Sequence, residues 1–356
     1  MPFSYLYGKL ADLRNHLYDR GLLRTFPLRA RTISVGNITT GGTGKTPLVA
    51  YIARILAERG EKVCILTRGY GRREPRNRVV VSDHTNIITD PAVAGDEPVE
   101  LAMSLGDKAV IVADPDRVAA AEWARVKFGI TTFILDDAFQ HRRARRDVDI
   151  VCIDATNPWD GGRTLPGGRL REPLRNLSRA DILVITRADL AENIADLRSE
   201  ISKLNPAAPV FGAATEIVSV LDLSEFQIMS GYPDTKIREK SSLKDMICKS
   251  DNVGKQRIFA FCGLGNPESF FLQIRKEAVE NVGLEISLIR SFPDHYVYKQ
   301  ADIERMEQEA KQQGVDAFVT TAKDAVKLKG LNFTFPCYVV EVELVLDRPE
   351  EFEALI

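Results

Sequence analysis

The stretch Val35–Leu56, VGNITTGGTGKTPLVAYIARIL, decides how the chain is read. The apolar run TISVG (32–36) leads into it, a glycine-rich turn fills its middle, and a helical pattern closes it. A strict phosphate-binding turn reads G-x-x-x-x-G-K-S/T and places glycine at position 39, where Thr39 stands. GGTGKT fits the tighter form G-G-x-G-K-S/T, which needs no glycine there. The extra lysine usual in that form would fall at Thr40. The candidate nucleotide-binding residues are therefore Thr40, Gly41, Gly42, Thr43, Gly44, Lys45 and Thr46. Glycines let backbone N–H groups approach phosphate closely. Lys45 brings charge to the outer phosphates, Thr46 offers a hydroxyl to magnesium, and the helix N-terminus favours an anion.

Outward from this turn, short apolar runs alternate with helical patterns. KVCILTRGYG, NRVVVSD, AVIVADP, TTFILDD, VDIVCIDAT and ADILVITRADL read as strands; AGDEPVELAMSLG and DRVAAAEWARVKFG read as turn-plus-helix and helix. That alternation predicts an α/β fold with a doubly wound, mostly parallel sheet carrying the phosphate-binding loop. Ligands of such sheets sit at the carboxyl ends of the strands. Four segments are expected: an N-terminal amphipathic helix over 1–30, a nucleotide-binding lobe over 31–207, a β-type linker and loop over 208–256, and a smaller α/β lobe over 257–356. One or two strands are expected near 208–230. The charged, aperiodic 231–257 reads as surface loop.

The 356-residue chain has length enough for two domains and for a substantial core. Its net charge of −2 argues against a nucleic-acid binder. The five scattered cysteines form no C-x-x-C pair and suit a reducing compartment. No apolar run approaches the ~20 residues of a bilayer span, and no secretory signal is evident. At the N-terminus, Leu6, Leu10, Leu13 and Leu17 recur at helical spacing beside Phe3 and Tyr7. Lys9, Arg14, Arg20, Arg24, Arg29 and Arg31 outnumber Asp12 and Asp19. Such a helix either lies in a membrane interface or packs on its own domain.

Further candidates follow the strands. Asp136 and Asp137 end the TTFILDD strand, where an acid holds magnesium in phosphate-loop enzymes; a helix cap is the plainer role. Asp96 in AGDEP suits either a helix N-cap or a catalytic base. His141 follows DDAFQ, and His295 ends SFPDH. Arg169 and Arg171, in a Gly/Pro-rich loop, suit an anionic substrate. Thr186, Arg187 and Asp189 in LVITRADL partly match the N/T-K-x-D string by which GTPases read guanine, which leaves open a regulatory GTPase or metallochaperone.

Taken together, SVGNITTGGTGKTP, TRGYGR, GDEP, DDAFQHRR, LREP, SFPDH and TAKDAVKL, in that order from Ile33 to Leu328, resemble the tetraacyldisaccharide 4'-kinase family. The resemblance implies transfer of the ATP γ-phosphate to the 4'-hydroxyl of a lipid disaccharide 1-phosphate, with magnesium. Location on the cytoplasmic face of a bacterial inner membrane follows from it, with the N-terminal helix as interfacial anchor and no obligate protein partner. Asp96 resembles the catalytic base and His295 its support, the two meeting when the lobes close. Asp136, Asp137, Thr46 and, in LREP, Glu172 resemble metal-side residues; Arg169, Arg171 and His141 fall to the substrate. The chain departs from the family pattern at Ala138 for glycine, Ala322 for glutamate and Tyr296 for a second histidine.

Overall fold

The computed structural model describes residues 2–88, 90–191, 193–229, 256–280 and 283–356. In chain order the main elements are α1 (Pro2–Asp19), β1 (Arg31–Asn37), α2 (Lys45–Glu58), β2 (Val63–Thr67), β3 (Val79–Ser82), α3 (Pro91–Ala94), α4 (Asp96–Leu105), β4 (Ala109–Ala113), α5 (Arg117–Phe128), β5 (Thr132–Asp136), β6 (Val148–Asp154), β7 (Ile182–Thr186), α6 (Ile194–Leu204) and β8 (Val210–Asp222). Then come α7 (Leu223–Met229), β9 (Gln256–Cys262), α8 (Pro267–Glu280), β10 (Leu284–Ser291), α9 (Gln300–Gln313), β11 (Ala317–Thr321), α10 (Ala322–Ala325), β12 (Cys337–Leu346) and α11 (Pro349–Leu355).

The strands, among the described residues, form one sheet in the order β10-β9-β11-β12-β8-β7-β6-β1-β5-β2-β4-β3. All neighbours are parallel except β3 on β4 and β8 on β12. Parallel strands covered on both faces read as near-continuous apolar runs, and β2, β4, β5 and β7 are buried along their whole length. The linker at 208–256 begins as the single strand β8. Its first residues pair parallel with β7, and its later ones pair antiparallel with β12. One strand thus belongs to both halves and joins the sheets of the two expected lobes. Gln256 and Arg257 open β9, the rest of the predicted 231–257 loop lying outside the described residues. The seven-residue α11 at the C-terminus was not foreseen.

Two glycines place the functional loops. A Cβ on Gly36, near the end of β1, would lie 2.6 Å from the Phe139 backbone nitrogen, so only glycine lets the turn after β5 cross here. Gly44 caps α2 at φ 70°, and Thr186 of β7 lies against it.

Helix α1 is mounted inside out. The positions it turns to the protein include Ser4, Gly8 and Asn15, all buried. Thr164 Oγ1 donates to the Ser4 carbonyl, Gly167 N–H to Ser4 Oγ, and Asn15 Nδ2 to Glu172 Oε2. Arg142 reaches the Asn15 carbonyl and Asp19, while Arg175 and Asn176 hold Asp12. Leu6, Leu10 and Leu13, each more than half exposed, face solvent beside Phe3 and Tyr5. No helix among the described residues is long and apolar enough to cross a membrane.

Candidate active site

The turn between β1 and α2 is held from behind. Asn37 Nδ2 donates to Thr43 Oγ1 at 2.9 Å, and Thr186 Oγ1 donates to the Thr43 carbonyl at 2.9 Å. Arg187 donates to the Gly42 carbonyl at 3.1 Å and is paired with Asp154. Thr186 and Arg187 therefore buttress the phosphate loop. Thr40 N–H donates to the Arg169 carbonyl at 2.8 Å, zipping the Gly/Pro-rich loop onto the turn.

At the end of β5 two adjacent carboxylates have opposite electrostatics. Asp136 is 5% exposed and accepts from Thr67 Oγ1 at 3.1 Å. Burial first, then the charges of Glu97 and Asp137, push its pKa up to about 6. Burial also works against the charge of Asp137, but Lys45 and Arg171 outweigh it and hold this carboxyl below its ordinary range. Arg171 NH1 lies 2.8 and 2.9 Å from the two oxygens of Asp137, and Lys45 Nζ lies 3.6 Å from Oδ1. Arg117 is buried behind them and donates to the Asp137 carbonyl at 3.4 Å. His141 is nearby; burial, then Arg117 and Arg68, push its pKa down to about 4, so it is neutral at pH 7.

Asp96 and His295 meet across 199 residues of sequence. Asp96 is the first residue of α4, buried, after Gly95 at φ 94°. His295 sits at φ 60° in the turn after β10. His295 Nδ1 lies 2.9 and 2.8 Å from the two carboxylate oxygens of Asp96. The Asp96 hydrogen bond raises the His295 pKa against the opposing effect of burial. Burial opposes the charge of Asp96, but His295 and then Lys323 outweigh it and lower its pKa.

These opposite shifts fix a pH signature. The contribution of a lowered carboxylate is present above its unfolded value, about 3.9, and is lost as pH falls through the folded one. The contribution of a raised histidine is complete below about 6.5 and is lost as pH rises through its folded value. The Tm difference between wild type and His295→Ala should therefore be greatest near pH 5–6 and shrink on the alkaline side. A difference that stays constant from pH 5 to pH 9 in thermal melts would show that the contact carries no charge component.

A cavity of about 1270 Å³ joins these parts. It runs from Thr40–Thr46 past Asp136, Asp137, His141 and Arg171 to His295 and Lys323, and reaches Tyr7 and Arg14 of α1. Two further candidates are held by partners of their own. The carboxylate of Glu172 is taken by Asn15 at 2.6 Å and by Arg179 at 2.8 and 3.2 Å, so this residue anchors α1 and is not brought to the phosphate loop. Arg169 is half exposed, lies against Gly41 and pairs with Asp160 at 3.3 Å. Sequence reasoning missed Lys323, Glu97 and Asp294, which crowd round the Asp96–His295 pair. Lys323 lies in the TAKDAVKL string, beside the departure at Ala322.

The family model described as tetraacyldisaccharide-1-P 4'-kinase matches residues 1–356. The chain belongs to this family. Tetraacyldisaccharide 4'-kinases of Halothermothrix orenii and Syntrophus aciditrophicus are 39% and 34% identical to it. The first match covers 96% of this chain and 87% of the relative; the second covers 99% and 90%. Among solved structures, the "apo" form LpxK from Aquifex aeolicus in complex with ATP is similar, with a TM-score of 0.73 and 32% identity. That match covers 99% of this chain and 96% of the other. As a tetraacyldisaccharide 4'-kinase family member, the chain is a lipid kinase, and the GTPase alternative falls away.

Proposed function

We propose that the protein transfers the γ-phosphate of ATP to the 4'-hydroxyl of tetraacyldisaccharide 1-phosphate, with Asp96 as base and His295 as its support. The observation carrying this reading is the contact of Asp96 with His295, which lines the same cavity as the phosphate loop. The 4'-oxygen attacks the γ-phosphorus, the bond from that phosphorus to the β,γ-bridging oxygen breaks, and ADP leaves. The hydroxyl proton passes to Asp96. Phosphoryl transfer is mainly a matter of positioning and charge neutralisation, and Lys45, Arg171 and the glycine turn are the groups placed to provide both.

A magnesium ion fits the residues present. Burial, then the charges of Glu97 and Asp137, push the pKa of Asp136 up to about 6, so a cation beside it would relieve that cost, and Thr46 follows Lys45, the first residue of α2. No group of three or more metal-binding side chains occurs among the described residues. Magnesium needs none, because it keeps several waters and shares one or two carboxylates with substrate phosphates. Thr46, Asp136 and Asp137, all on the cavity wall, would hold it; Glu172, which does not line that cavity and is bound by Asn15 and Arg179, is left out. When bound, the ion neutralises charge on the β- and γ-phosphates. Thr40 to Thr46 would wrap the phosphates, and Arg171 and His141, on the cavity wall, would meet the sugar substrate. Arg169 holds the loop from outside.

The test is transfer from γ-labelled ATP to the tetraacyl disaccharide 1-phosphate in detergent micelles. The expected product carries label on the 4'-oxygen; steady ATP hydrolysis with no labelled lipid would overturn the reading.

The inside-out mounting of α1 supports attachment to a lipid surface, which we read, with family membership and ATP use, as the cytoplasmic face of a bacterial inner membrane. Leu6, Leu10 and Leu13 are each more than half exposed. Changing all three to serine should leave Tm unchanged and weaken retention on anionic vesicles about 100-fold, corresponding to roughly 3 kcal/mol of lost apolar transfer. Equal co-sedimentation of variant and wild type would remove the helix from membrane attachment.

A further inference from the structure

The charged cluster around Asp96 contains a residue that the reaction as described does not use. Lys323 is the second residue of α10, just past β11, and is 8% exposed. Its ammonium lies 3.1 Å from Asp294 Oδ1, 3.3 Å from Glu97 Oε1 and 4.0 Å from Asp96 Oδ2. Asp96 and Glu97 open α4, beside the half of the sheet that carries the phosphate loop; Asp294 adjoins His295 in the turn after β10, in the other half. Glu100, one turn further along α4, adds its field, and Asp324 and Lys327 on the lysine's own side complete the charged surroundings.

We propose that Lys323 is a positioning residue for phosphate transfer, its ammonium clamping the Asp294–His295 turn to the N-terminus of α4 so that His295 stays on Asp96. Without a cation between them, Asp96, Glu97 and Asp294 would repel one another across the seam. Repulsion would open the seam where His295 Nδ1 has to keep contact with Asp96. The clamp is stiff at its root. Asp324, fully buried, accepts from Gly263 N–H at 2.9 Å, Tyr298 OH at 3.0 Å and Thr321 Oγ1 at 2.8 Å, and it pairs with Lys327 at 2.8 Å. That network ties α10 to the loop after β9 and to the residues just past His295. Burying an ammonium among carboxylates is a poor way to gain stability, since well-packed apolar groups do as well. Its use here is geometric: it couples two loops that no backbone hydrogen bond joins.

The inference rests on the assignment of Asp96 and His295 above, and the test separates the two. Lys323→Met, His295→Ala and the double variant are assayed for lipid phosphorylation at saturating lipid over a range of ATP concentrations. Lys323→Met should lower kcat roughly 30- to 100-fold, as an ångström-scale misplacement does, with the KM for ATP within a factor of three. The double variant should be no more than about threefold slower than His295→Ala, because the clamp acts through the histidine. A Lys323→Met kcat within threefold of wild type, or a double-variant loss equal to the product of the single losses, overturns the proposal. A His295→Ala variant with full activity would instead overturn the assignment of His295 as the support of the base, and the clamp with it. Should Lys323→Met not fold, Asp294→Asn serves: it takes the nearest carboxylate from the ammonium in an exposed turn. It should lower kcat at least threefold with ATP KM unchanged, and wild-type turnover would equally sink the clamp.

Discussion

Asp96→Asn should reduce kcat for lipid phosphorylation by about a thousandfold, within the range that general-base groups contribute. The amide keeps the shape of the carboxylate, and its oxygen can still accept from His295. What disappears is the ability to take a proton. ATP binding should change little, because the phosphate loop and Asp96 belong to different elements and share no hydrogen bond. The low pKa of Asp96 is no obstacle to its role. In a loose phosphoryl-transfer transition state the nucleophile's proton leaves late, so a weak base, correctly placed, suffices. The same shift makes a second statement. Asp96 stays ionised well below neutral, so a loss of rate between pH 8 and pH 6 would have to come from another group. Titration of ATP into the variant and label transfer at saturating ATP decide the matter. A variant with normal ATP affinity and turnover within threefold of wild type would leave the base unidentified.

What could be read from the sequence divides along physical lines. The strands of the parallel sheet were legible because burial on both faces makes each a nearly continuous apolar run, as in VCILT and TFILD. The phosphate turn was legible because its chemistry is local: glycines, a lysine and a threonine at fixed spacing before a helix. Pairings between distant segments were not. The helical spacing of Leu6, Leu10 and Leu13 marks an apolar stripe in α1, but nothing local says which way the stripe faces. Only the docking of Ser4, Gly8 and Asn15 settles that. Glu172 lies in a string shared with the family, yet the partners that occupy its carboxylate, Asn15 and Arg179, come from a distant helix and a later turn. Thr186 and Arg187 resembled a base-reading string until their bonds to Thr43 and Gly42 were seen. Lys323 was hidden for the same reason, since its three carboxylates lie far away in the chain. The contact between Asp96 and His295 was foreseen through family resemblance; neither composition nor periodicity would have paired them.

Lys45→Met should lower kcat by roughly 100- to 1000-fold, the loss typical when one preorganised charge-stabilising donor is removed. In the structure its ammonium rests 3.6 Å from Asp137 Oδ1, a contact too long for a strong hydrogen bond, while Arg171 holds the same carboxylate at 2.8 and 2.9 Å. Lys45 can therefore leave Asp137 for an arriving phosphate without stranding a buried charge. Removing one partner of a buried ion pair costs about 3–5 kcal/mol when the other is left uncompensated. Here Arg171 remains, so Tm of the ATP-free protein should hardly move while turnover collapses and ATP affinity falls. Arg171→Met should lose stability as well as turnover, because Asp137 would keep only the distant lysine. Its melting temperature should drop by several degrees more than that of Lys45→Met. Calorimetric scans of the two variants without nucleotide, set beside their label-transfer rates, test the division of labour. If the two variants lose stability equally, Lys45 is as much a structural partner of Asp137 as Arg171 is, and the picture of a lysine held in reserve for phosphate fails.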